Sequence, residues 1–530
     1  MQEASPPDPL YKNLYEHEEK DMEDMKKTVV VTLNGTAHTC PVGTFLGTLL
    51  SHHGEGTMPC GGHGKCGKCL ITVKGEVSAP SDDEKRILSA QELEKGVRLA
   101  CRTAVLGDCT VTTAKQGEGQ IVTDGRFPAS MKNAPLSPAF STYGVAIDIG
   151  TTTLAACLFD SAGQLLAETS RLNPQSVWGA DVISRMEAAL AGNAPKIAKV
   201  IRQALNAMVV DLAAIAHLQT TDVQALVITG NTVMLYLLTE TDVEPLTHAP
   251  FAAQRLFGET LRATDLAFTA LHPETPVYLP PCIAAFVGAD TTTATLASDL
   301  REIPETSLLC DIGTNGEMVL WHEGSLYACS TAAGPAFEGA GISMGMGGKT
   351  GAIDRVWVED GEIQAHVIGE ASPIGLCGSG LVDAVAALLD TEILDETGYL
   401  EDDPAVISAP VEITQEDIRA VQLAKSAIHA GMRTMIKAAN LSCDGVKTLY
   451  IAGGFGSYLD VKNAGKIGLL PEELVDSVAV LGNAALTGAA MLLLCTSLRP
   501  SCEKLARETK IVELAANPVF INEYVDRMMF

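Results

Sequence analysis

The sequence predicts two folded units joined by a linker: a small α+β domain near the N-terminus and a larger, duplicated α/β domain. Three observations predict this arrangement. Three cysteines and four glycines lie within the ten residues 60–69. A phrase of apolar strand, aspartate and glycine turn occurs at 144–153 and again at 308–317. Between these features, residues 116–142 are rich in Gly, Pro and polar residues, a composition typical of a linker.

The small domain reads as a hairpin followed by helices and further strands. Asn34-Gly35 between two runs rich in β-branched residues is a strong signal for a tight β-hairpin turn. The remaining pattern is mixed, with helical and strand segments alternating around the cysteines. The predicted elements are strands at 28–33, 36–40, 70–73 and 109–114, and helices at 45–52 and 82–96, with residues 97–101 leading into the last cysteine of the set.

The cysteine spacing indicates a [2Fe–2S] cluster. Cys60, Cys66 and Cys69 are close together, and Cys101 is the distant fourth thiol. This spacing is one residue longer in its first gap than the plant-type ferredoxin pattern. The glycines between the cysteines permit the tight backbone path around an inorganic core.

Zinc, a disulfide and a histidine ligand are the alternatives for these residues. A zinc site normally pairs two short Cys or His arms, whereas only one compact arm is present here. Nothing else in the sequence resembles a secreted, disulfide-bonded protein. His63 could be a ligand, but a solvated loop residue is the simpler interpretation.

The composition of the chain indicates which classes of partner it does not bind and which cellular compartment suits it. The net charge is −28, with 37 basic and 65 acidic residues, which argues against nucleic acid or an anionic membrane as partner. Of the 14 cysteines, the ten outside the cluster set are scattered among apolar or small residues, as expected of reduced thiols in a cytoplasm. The cluster chemistry favours an anaerobic cytoplasm. Residues 1–27 are charged and lack the apolar core of a signal peptide. The uncharged run 477–498 contains Gly, Asn and Thr, which favours a buried helix over a membrane span.

Three glycine turns in the larger domain indicate a nucleotide site. Each follows an apolar strand, and glycines there allow backbone amides to approach phosphate oxygens while threonine hydroxyls add hydrogen bonds. Asp148 and Asp311 can hold Mg²⁺ directly or through water. For any one of these turns, the alternative is a plain β-turn without a ligand. Thr152 and Thr153 would then be ordinary strand residues. The predicted phosphate-binding residues are Gly150, Thr151, Thr152, Gly313, Thr314, Asn315 and Gly316, and the predicted adenosine loop contains Gly453, Gly454 and Gly456.

In this order, the three turns resemble the two phosphate motifs and the adenosine motif of the sugar kinase, heat-shock protein and actin superfamily. Further segments resemble the ATP-dependent reductive activators of corrinoid proteins, across about residues 28–525. These segments are 230–234, 281–290, 333–339, 375–380, 453–456 and 482–485.

The resemblance implies a β-grasp ferredoxin domain followed by a duplicated α/β actin-like ATPase domain. It implies a [2Fe–2S] cluster, ATP and Mg²⁺ as cofactors, and one-electron reduction of Co(II) to Co(I) in a corrinoid protein of a methyltransferase system. An upstream ferredoxin or flavoprotein donor and a homodimer are also implied. The predicted boundaries are a flexible leader at 1–27, the cluster domain at 28–115, the linker at 116–142, and an ATPase domain at 143–530 with lobes at 143–305 and 306–530.

Two questions stay open from sequence. Glu338 is a candidate to orient the attacking water, with an ordinary helix-start glutamate as the alternative. For function, the alternatives are an ATP-driven electron injector similar to the activators of 2-hydroxyacyl-CoA dehydratases, and a redox-gated small-molecule kinase or sensor. The first of these usually holds a [4Fe–4S] cluster at a dimer interface, and a dedicated ferredoxin domain argues against it.

Overall fold

The computed structural model describes residues 28–52, 69–113, 127–128, 131, 135–179, 181–339, 341–453 and 458–530. The chain forms two compact units that divide between Gly117 and Glu118. The predicted leader at 1–27 lies outside the described residues, as do Cys60 and Cys66.

The first unit is a five-stranded sheet with short helices. The elements are β1 (Thr28–Leu33), β2 (Thr36–Pro41), α1 (Leu46–His52), β3 (Leu70–Val77), α2 (Asp82–Ile87), α3 (Ala90–Glu94), β4 (Val97–Leu99) and β5 (Val105–Thr113). The strands lie in the order β2-β1-β5-β3-β4, and only the β1–β5 pair is parallel. Inward-facing residues such as Val31, Leu33, Val105 and Val111 are fully buried between the sheet and the helices.

The predicted hairpin is confirmed, and the predicted helix at 82–96 is two helices. Asn34 and Gly35 adopt φ values of 47° and 94°, the left-handed backbone that a tight hairpin turn requires. Leu88 is extended and ends α2. Ser89 then caps a second helix, because its hydroxyl accepts from the Glu92 amide while the Glu92 carboxylate accepts from Ser89. A first capping box, of Ser81 and Glu84, begins α2. The second one, at Ser89, divides residues 82–96 into two helices.

The second unit contains two six-stranded sheets. The elements of its first half are β6 (Tyr143–Ile149), β7 (Thr153–Asp160), β8 (Leu165–Leu172), α4 (Val182–Ala188), α5 (Ala194–Ile215), β9 (Val223–Gly230), α6 (Thr232–Thr239), β10 (Glu259–Arg262), β11 (Pro276–Leu279) and α7 (Ala289–Ala297). The elements of its second half are β12 (Ser307–Ile312), β13 (Gly316–His322), β14 (Ser325–Thr331), β15 (Ala352–Glu359), β16 (Glu362–Val367), β17 (Gly375–Leu376), α8 (Gly378–Asp390), β18 (Ala405–Ser408), β19 (Val411–Ile413), α9 (Gln415–Ala438), β20 (Thr448–Ala452), α10 (Val461–Lys466), β21 (Val478–Gly482), α11 (Ala484–Leu494), α12 (Arg499–Glu508), β22 (Lys510–Ile511) and α13 (Pro518–Asp526).

The two large sheets repeat one topology. The first runs β10-β11-β9-β6-β7-β8 and the second runs β21-β20-β12-β13-β14-β22. In each, three consecutive antiparallel strands are followed by a parallel strand on the far side of the first one. The next strand along is parallel too. The duplication predicted from the repeated aspartate-glycine phrase is therefore present in the strand order.

Helices α7 and α11 pack together where the two halves meet. Every residue of α11 is buried, so the uncharged run at 477–498 contains an interior helix, as predicted. Among the described helices, none combines the length and apolar character that crossing a bilayer requires. One apolar core contains residues from both sheets together with these two helices.

Part of the predicted linker belongs to this same core. Phe127, Met131 and Phe140 are buried there. The amides of Ser137 and Ala139 donate to the carbonyls of Leu494 and Leu493 at the end of α11. These described residues of 116–142 therefore pack against the second unit.

We expect Gly488→Ala to destabilise the second unit by about 2 kcal/mol or more, because α11 crosses α7 too closely for a side chain. A Cβ at Gly488 would lie 2.0 Å from the carbonyl oxygen of Thr293. The free energy of unfolding in denaturant measures the effect. Gly347→Ala is the matched control, since nothing lies within 4 Å of a Cβ there. Equal stability of the two variants would contradict the close crossing.

Candidate functional site

Two of the four predicted cluster cysteines lie together in the first unit. Cys69 directly precedes β3, and Cys101 lies in the 3₁₀ turn Ala100–Arg102 that follows β4. Antiparallel pairing of Leu70 with Leu99 places the two thiols side by side, with their sulfurs 3.2 Å apart. Both cysteines are buried and neither is in a disulfide.

The surroundings of Cys69 favour its thiolate form. The hydrogen bond between the Cys69 and Cys101 thiols lowers the pKa of Cys69 to about 6, although burial opposes this. Backbone N–H groups of Cys101, Cys69 and Ala100 add to the lowering. Thiolates are the form that ligates iron, and N–H groups aimed at sulfur are typical of cluster sites. The described half of the cysteine set therefore fits a [2Fe–2S] cluster.

A buried ion pair that sequence reasoning missed anchors the Cys101 turn. Arg98 donates from Nε and Nη2 to the Glu84 carboxylate at 2.8 Å and 2.9 Å. The Leu99 amide and the Thr103 hydroxyl also donate to Glu84. Burial alone would raise the pKa of Glu84, but the Arg98 hydrogen bonds and the amide donors outweigh it and hold the pKa at about 2. The capping sequence Ser81-x-x-Glu84 was the only signal for this residue.

In the second unit, the two aspartate-glycine turns occupy equivalent positions. Asp148 is the penultimate residue of β6, and Asp311 is the penultimate residue of β12. The turns that follow lead into β7 and β13. The Gly150 turn is too tight for any side chain, because a Cβ there would lie 2.5 Å from the Thr153 carbonyl oxygen.

Both aspartates bind protons more strongly than ordinary carboxyl groups. Burial raises the pKa of Asp148 to about 7, with a smaller contribution from Asp290. Its Oδ2 accepts a hydrogen bond from Asn483 at 3.0 Å, and Oδ1 is buried without a hydrogen-bond partner among the described residues. Burial also raises the pKa of Asp311 to about 8, followed by the charges of Asp290, Asp148 and Glu338.

Two further carboxylates in the cluster were missed from sequence. Asp290 lies in the first turn of α7, and burial raises its pKa to about 6. Glu317 is the second residue of β13, and burial together with Asp290 and Asp311 raises its pKa well above the usual range. The signal for both was present, since each acid stands within an apolar or small-residue run.

The cluster of Asp148, Asp290, Asp311 and Glu317 fits a divalent cation. Like charges held together away from water repel one another, and a hard cation with oxygen ligands relieves that repulsion. The orphaned Oδ1 of Asp148 is a further unused acceptor. Among the described residues the acidic groups do not converge as a direct ligand set. Mg²⁺ commonly keeps several water ligands, so a site of this kind suits it.

Glu338 joins the two turns. It ends the 3₁₀ helix Ala336–Glu338, and Gly339 follows with a φ of 81°. Its Oε2 accepts from the Thr152 hydroxyl at 2.5 Å and from the Thr314 hydroxyl at 2.6 Å. The two hydroxyl oxygens are 3.3 Å apart. Three residues predicted from separate motifs thus meet at one carboxylate oxygen.

The other predicted residues border this point. A Cβ at Gly313 would lie 3.5 Å from Oε1 of Glu338, and Gly316 begins β13. Thr151 is buried, and Asn315 is a hydrogen-bond partner of Glu317. The structure therefore brings the two aspartate-glycine turns, which are the two predicted phosphate turns, to one place.

The third glycine turn reaches the same place through Gly453. This residue follows β20 with a φ of 95°, and a Cβ there would lie 2.8 Å from Oδ1 of Asp311. Its amide donates to the Gly482 carbonyl at 3.0 Å. Gly454 and Gly456 lie outside the described residues.

Two asparagines, also missed from sequence, link the halves. Asn483 caps α11 and donates to Asp148 in the first half. Asn231 caps α6 and donates to Glu317 in the second half at 3.3 Å. Each half therefore provides an amide to a carboxylate of the other.

The fold and these sites define a two-part protein, an iron–sulfur domain together with an actin-like nucleotide-binding domain. Residues 31–106 match the 2Fe-2S iron-sulfur cluster binding domain, 143–303 match the RACo middle region, and 305–530 match the C-terminal domain of RACo, the ASKHA domain. The predicted fold class and the predicted [2Fe–2S] and ATP cofactors are confirmed.

Relatives place the chain in one family. It is 36% identical over 437 residues to "Corrinoid activation enzyme RamQ" of Eubacterium limosum, covering 76% of this chain and 72% of that protein. It is 26% identical over 420 residues to "[Co(II) methylated amine-specific corrinoid protein] reductase" of Methanosarcina barkeri, covering 73% and 77%. A solved structure of a "Reductive activator for corrinoid,iron-sulfur protein" superposes with a TM-score of 0.70 at 28% identity, covering 95% of this chain and 98% of that one. The chain belongs to the family of RACo-type reductive activators of corrinoid proteins, as its motifs predicted.

The raised pKa values of Asp148 and Asp311 make stability depend on pH. Because the folded state holds these protons more tightly than the unfolded chain, stability present at acidic pH is lost as pH rises through about 7 to 8. We expect the thermal unfolding midpoint of the protein without Mg²⁺ and nucleotide to fall between pH 6 and pH 8.5. Added Mg²⁺ should restore it more strongly at the higher pH, where the carboxylates are ionised.

Asp311→Asn is the informative variant for this prediction, because it keeps the shape and removes the ionisation. We expect a flatter pH profile and a smaller response to Mg²⁺. Asp265→Asn is the control, since Asp265 is an exposed partner of Arg262 outside the cluster. A profile for Asp311→Asn that follows the parent protein would show that the cluster does not control the pH dependence.

Proposed function

We propose that this protein uses ATP to drive one-electron reduction of Co(II) to Co(I) in a partner corrinoid protein of a methyltransferase system. The observation that carries the proposal is the meeting of two phosphate turns and four carboxylates in a chain that also contains a buried, thiolate-favouring cysteine pair. The names of the two relatives support the substrate.

In this proposal the first unit stores the electron. Cys60, Cys66, Cys69 and Cys101 hold the [2Fe–2S] cluster, which supplies reversible one-electron chemistry when bound. The Glu84–Arg98 ion pair fixes the turn that carries Cys101, and the backbone N–H groups beside Cys69 stabilise negative charge on its sulfur. The cluster domain extends over 28–115, and an upstream ferredoxin or flavoprotein reduces it.

The second unit provides the driving force. Plant-type clusters have potentials near about −400 mV. For one electron, each further 59 mV or so of gap costs a factor of ten in equilibrium. A donor at this level therefore needs an added energy source to reduce a cobalt centre of still lower potential. Closing and opening of lobes 143–305 and 306–530 around a nucleotide is a two-state element of the kind that can supply it.

Residue roles follow from the geometry of the two turns. Amides and hydroxyls of Gly150, Thr151, Thr152 and of Gly313, Thr314, Asn315, Gly316 would bind phosphate oxygens. Asp148 and Asp311 would hold Mg²⁺ and its water, with Asp290 and Glu317 beside them. Gly453, Gly454 and Gly456 would pass beneath the adenosine. Glu338 would turn from the two threonine hydroxyls to orient the attacking water.

We also propose a cytoplasmic location and a homodimer. The location is supported by free thiols at all 12 described cysteines, as expected of a reducing compartment. The dimer is supported by the resemblance to the family alone.

The decisive experiment is anaerobic mixing of the protein with a Co(II) corrinoid protein, a reductant and ATP. Absorbance of Co(I) should appear with ATP and be absent or much weaker without it. Cys66→Ser should abolish it while leaving ATP binding intact. Co(I) formation that ignores ATP would overturn the proposal. Reduction of a dehydratase partner would favour the electron-injector alternative, and phosphorylation of a small molecule would favour the kinase alternative.

Glu338→Gln separates the two interpretations of Glu338. Glutamine keeps an oxygen that accepts from Thr152 and Thr314 but cannot take a proton from water. We expect ATP hydrolysis to fall by about 100-fold or more, the usual contribution of a positioned base, with ATP affinity changed much less. Glu302→Gln, a change in an exposed loop acid, is the control. Unchanged hydrolysis would leave Glu338 as a structural residue only.

A further inference from the structure

The first phosphate turn has all three of its backbone carbonyls held from one side. The Asn173 amide donates to the Thr152 carbonyl at 2.8 Å. The Asn173 side chain donates from Nδ2 to the Gly150 carbonyl at 2.9 Å. Arg185 donates from Nη2 to the Thr151 carbonyl at 2.7 Å. One short segment, 173–185, therefore supplies a donor to every peptide oxygen of the turn.

Arg185 is held in place by more than this contact. The side chain is 0% exposed and lies on α4, where Asp181 caps the helix. Its Nε donates to the Gly179 carbonyl at 3.0 Å, and Nη1 lies 3.3 Å from Sδ of Met234. Burial lowers the pKa of Arg185 to about 10, while the charges of Asp181 and Glu338 oppose the lowering. A fully buried guanidinium is costly to retain, which points to a specific role.

Asn173 is equally constrained. It follows β8, is 0% exposed, and caps the 3₁₀ helix Pro174–Trp178 by accepting from the Gln175 amide at 3.0 Å. Its Oδ1 is therefore used by the cap, and its Nδ2 is directed at Gly150. The side chain can satisfy both groups only in this orientation.

The carbonyl contacts determine where the amides of the turn point. In a trans peptide the C=O and the following N–H point in opposite directions. Asn173 and Arg185 bind the carbonyls of Gly150, Thr151 and Thr152. The N–H groups of the same three peptide units, which belong to Thr151, Thr152 and Thr153, therefore face away from Asn173 and Arg185. The Thr152 hydroxyl contacts Glu338 and Thr314 of the other half.

The second turn is built differently. The Thr314 carbonyl accepts from the Gly334 amide at 2.9 Å, and the Asn315 carbonyl accepts from the Gly313 amide at 3.1 Å. Backbone amides hold these two carbonyls of the second turn, whereas side chains hold the Gly150 and Thr151 carbonyls of the first. Substitution of those side chains should therefore affect one phosphate turn and spare the other.

We propose that Arg185 and Asn173 are positioning residues for ATP, orienting the amides of the first phosphate turn toward the phosphates. This inference rests on the proposed nucleotide site. Neither residue touches the nucleotide itself in this arrangement; each acts through the peptide groups of Gly150, Thr151 and Thr152.

The test compares the parent protein with Arg185→Met and Asn173→Asp. Methionine fills similar volume without donors, and aspartate keeps the cap acceptor but loses the donor to Gly150. We expect each variant to bind ATP about tenfold more weakly, the usual effect of losing one buried hydrogen bond. Isothermal titration with ATP, and with adenosine as a ligand that lacks phosphates, measures the effect. Adenosine affinity should stay within about twofold of the parent value.

Arg202→Met is the matched control. Arg202 is also on the first half and donates from Nε to a backbone carbonyl, that of Leu238, at 2.9 Å, but it does not contact the turn. Its ATP affinity should equal that of the parent protein. Asn173→Asp keeps the test usable where loss of the Arg185 charge impairs folding.

The outcomes separate this inference from the proposed function. Parent-like ATP affinity in both Arg185→Met and Asn173→Asp would overturn the positioning role and leave the nucleotide site intact. Equal loss of ATP and adenosine affinity would show a general effect on the fold and would also overturn it. Failure of the parent protein to bind ATP would instead overturn the proposed function.

Discussion

The burial of four carboxyl groups close to one another is the constraint on which the second unit depends. Four acids meet beside the two phosphate turns, and the pKa of Asp311 is raised to about 8. Relative to an ordinary aspartate, this disfavours ionisation by roughly 6 kcal/mol. Such a site is stable with protons bound or with a cation bound, and unstable with neither. The protein therefore carries a built-in preference for a positively charged ligand at the point where its halves meet.

The contacts between the halves follow from that constraint. Asn231 and Asn483 cap helices in one half and donate amide hydrogens to carboxylates of the other, which offsets part of the desolvation of Glu317 and Asp148. Glu338 takes hydroxyl hydrogens from a threonine of each half. These bonds cross the division between the sheets, so the same groups that would bind a nucleotide also hold the halves together. A nucleotide bound as proposed would therefore compete for donors that now join the halves.

Local patterns in the sequence predicted much of this molecule. The hairpin turn at Asn34-Gly35, the paired Asp-Ile-Gly turns and the cysteine spacing each have a short-range physical cause, and each indicated the correct class of structure. Glu338 was a candidate within the segment 333–339, and the structure places it between Thr152 and Thr314. The roles proposed for these residues stay predictions.

Residues that act through distant partners were not predictable in the same way. Arg185, Asn173, Asn231 and Asn483 look like ordinary helix or loop residues until the fold brings their partners to them. Glu84 read as part of one long helix because the second capping box at Ser89 was overlooked. Asp290 and Glu317 stand in apolar or small-residue runs that indicate burial, but the carboxyl groups that they meet are determined by the tertiary structure.

The placement of α11 has a consequence for how the chain is made. This helix lies near the end of the sequence, yet it packs against β6 and β9, strands of the first sheet. During synthesis the N-terminal segments leave the ribosome first. The sheet formed by residues 143–279 must therefore wait for residues 484–494 before that part of its apolar face is covered. From the synthesis of residue 279 until residues 484–494 have emerged, part of the apolar face of this sheet stays uncovered, and exposed apolar surface of this kind is what chaperones bind.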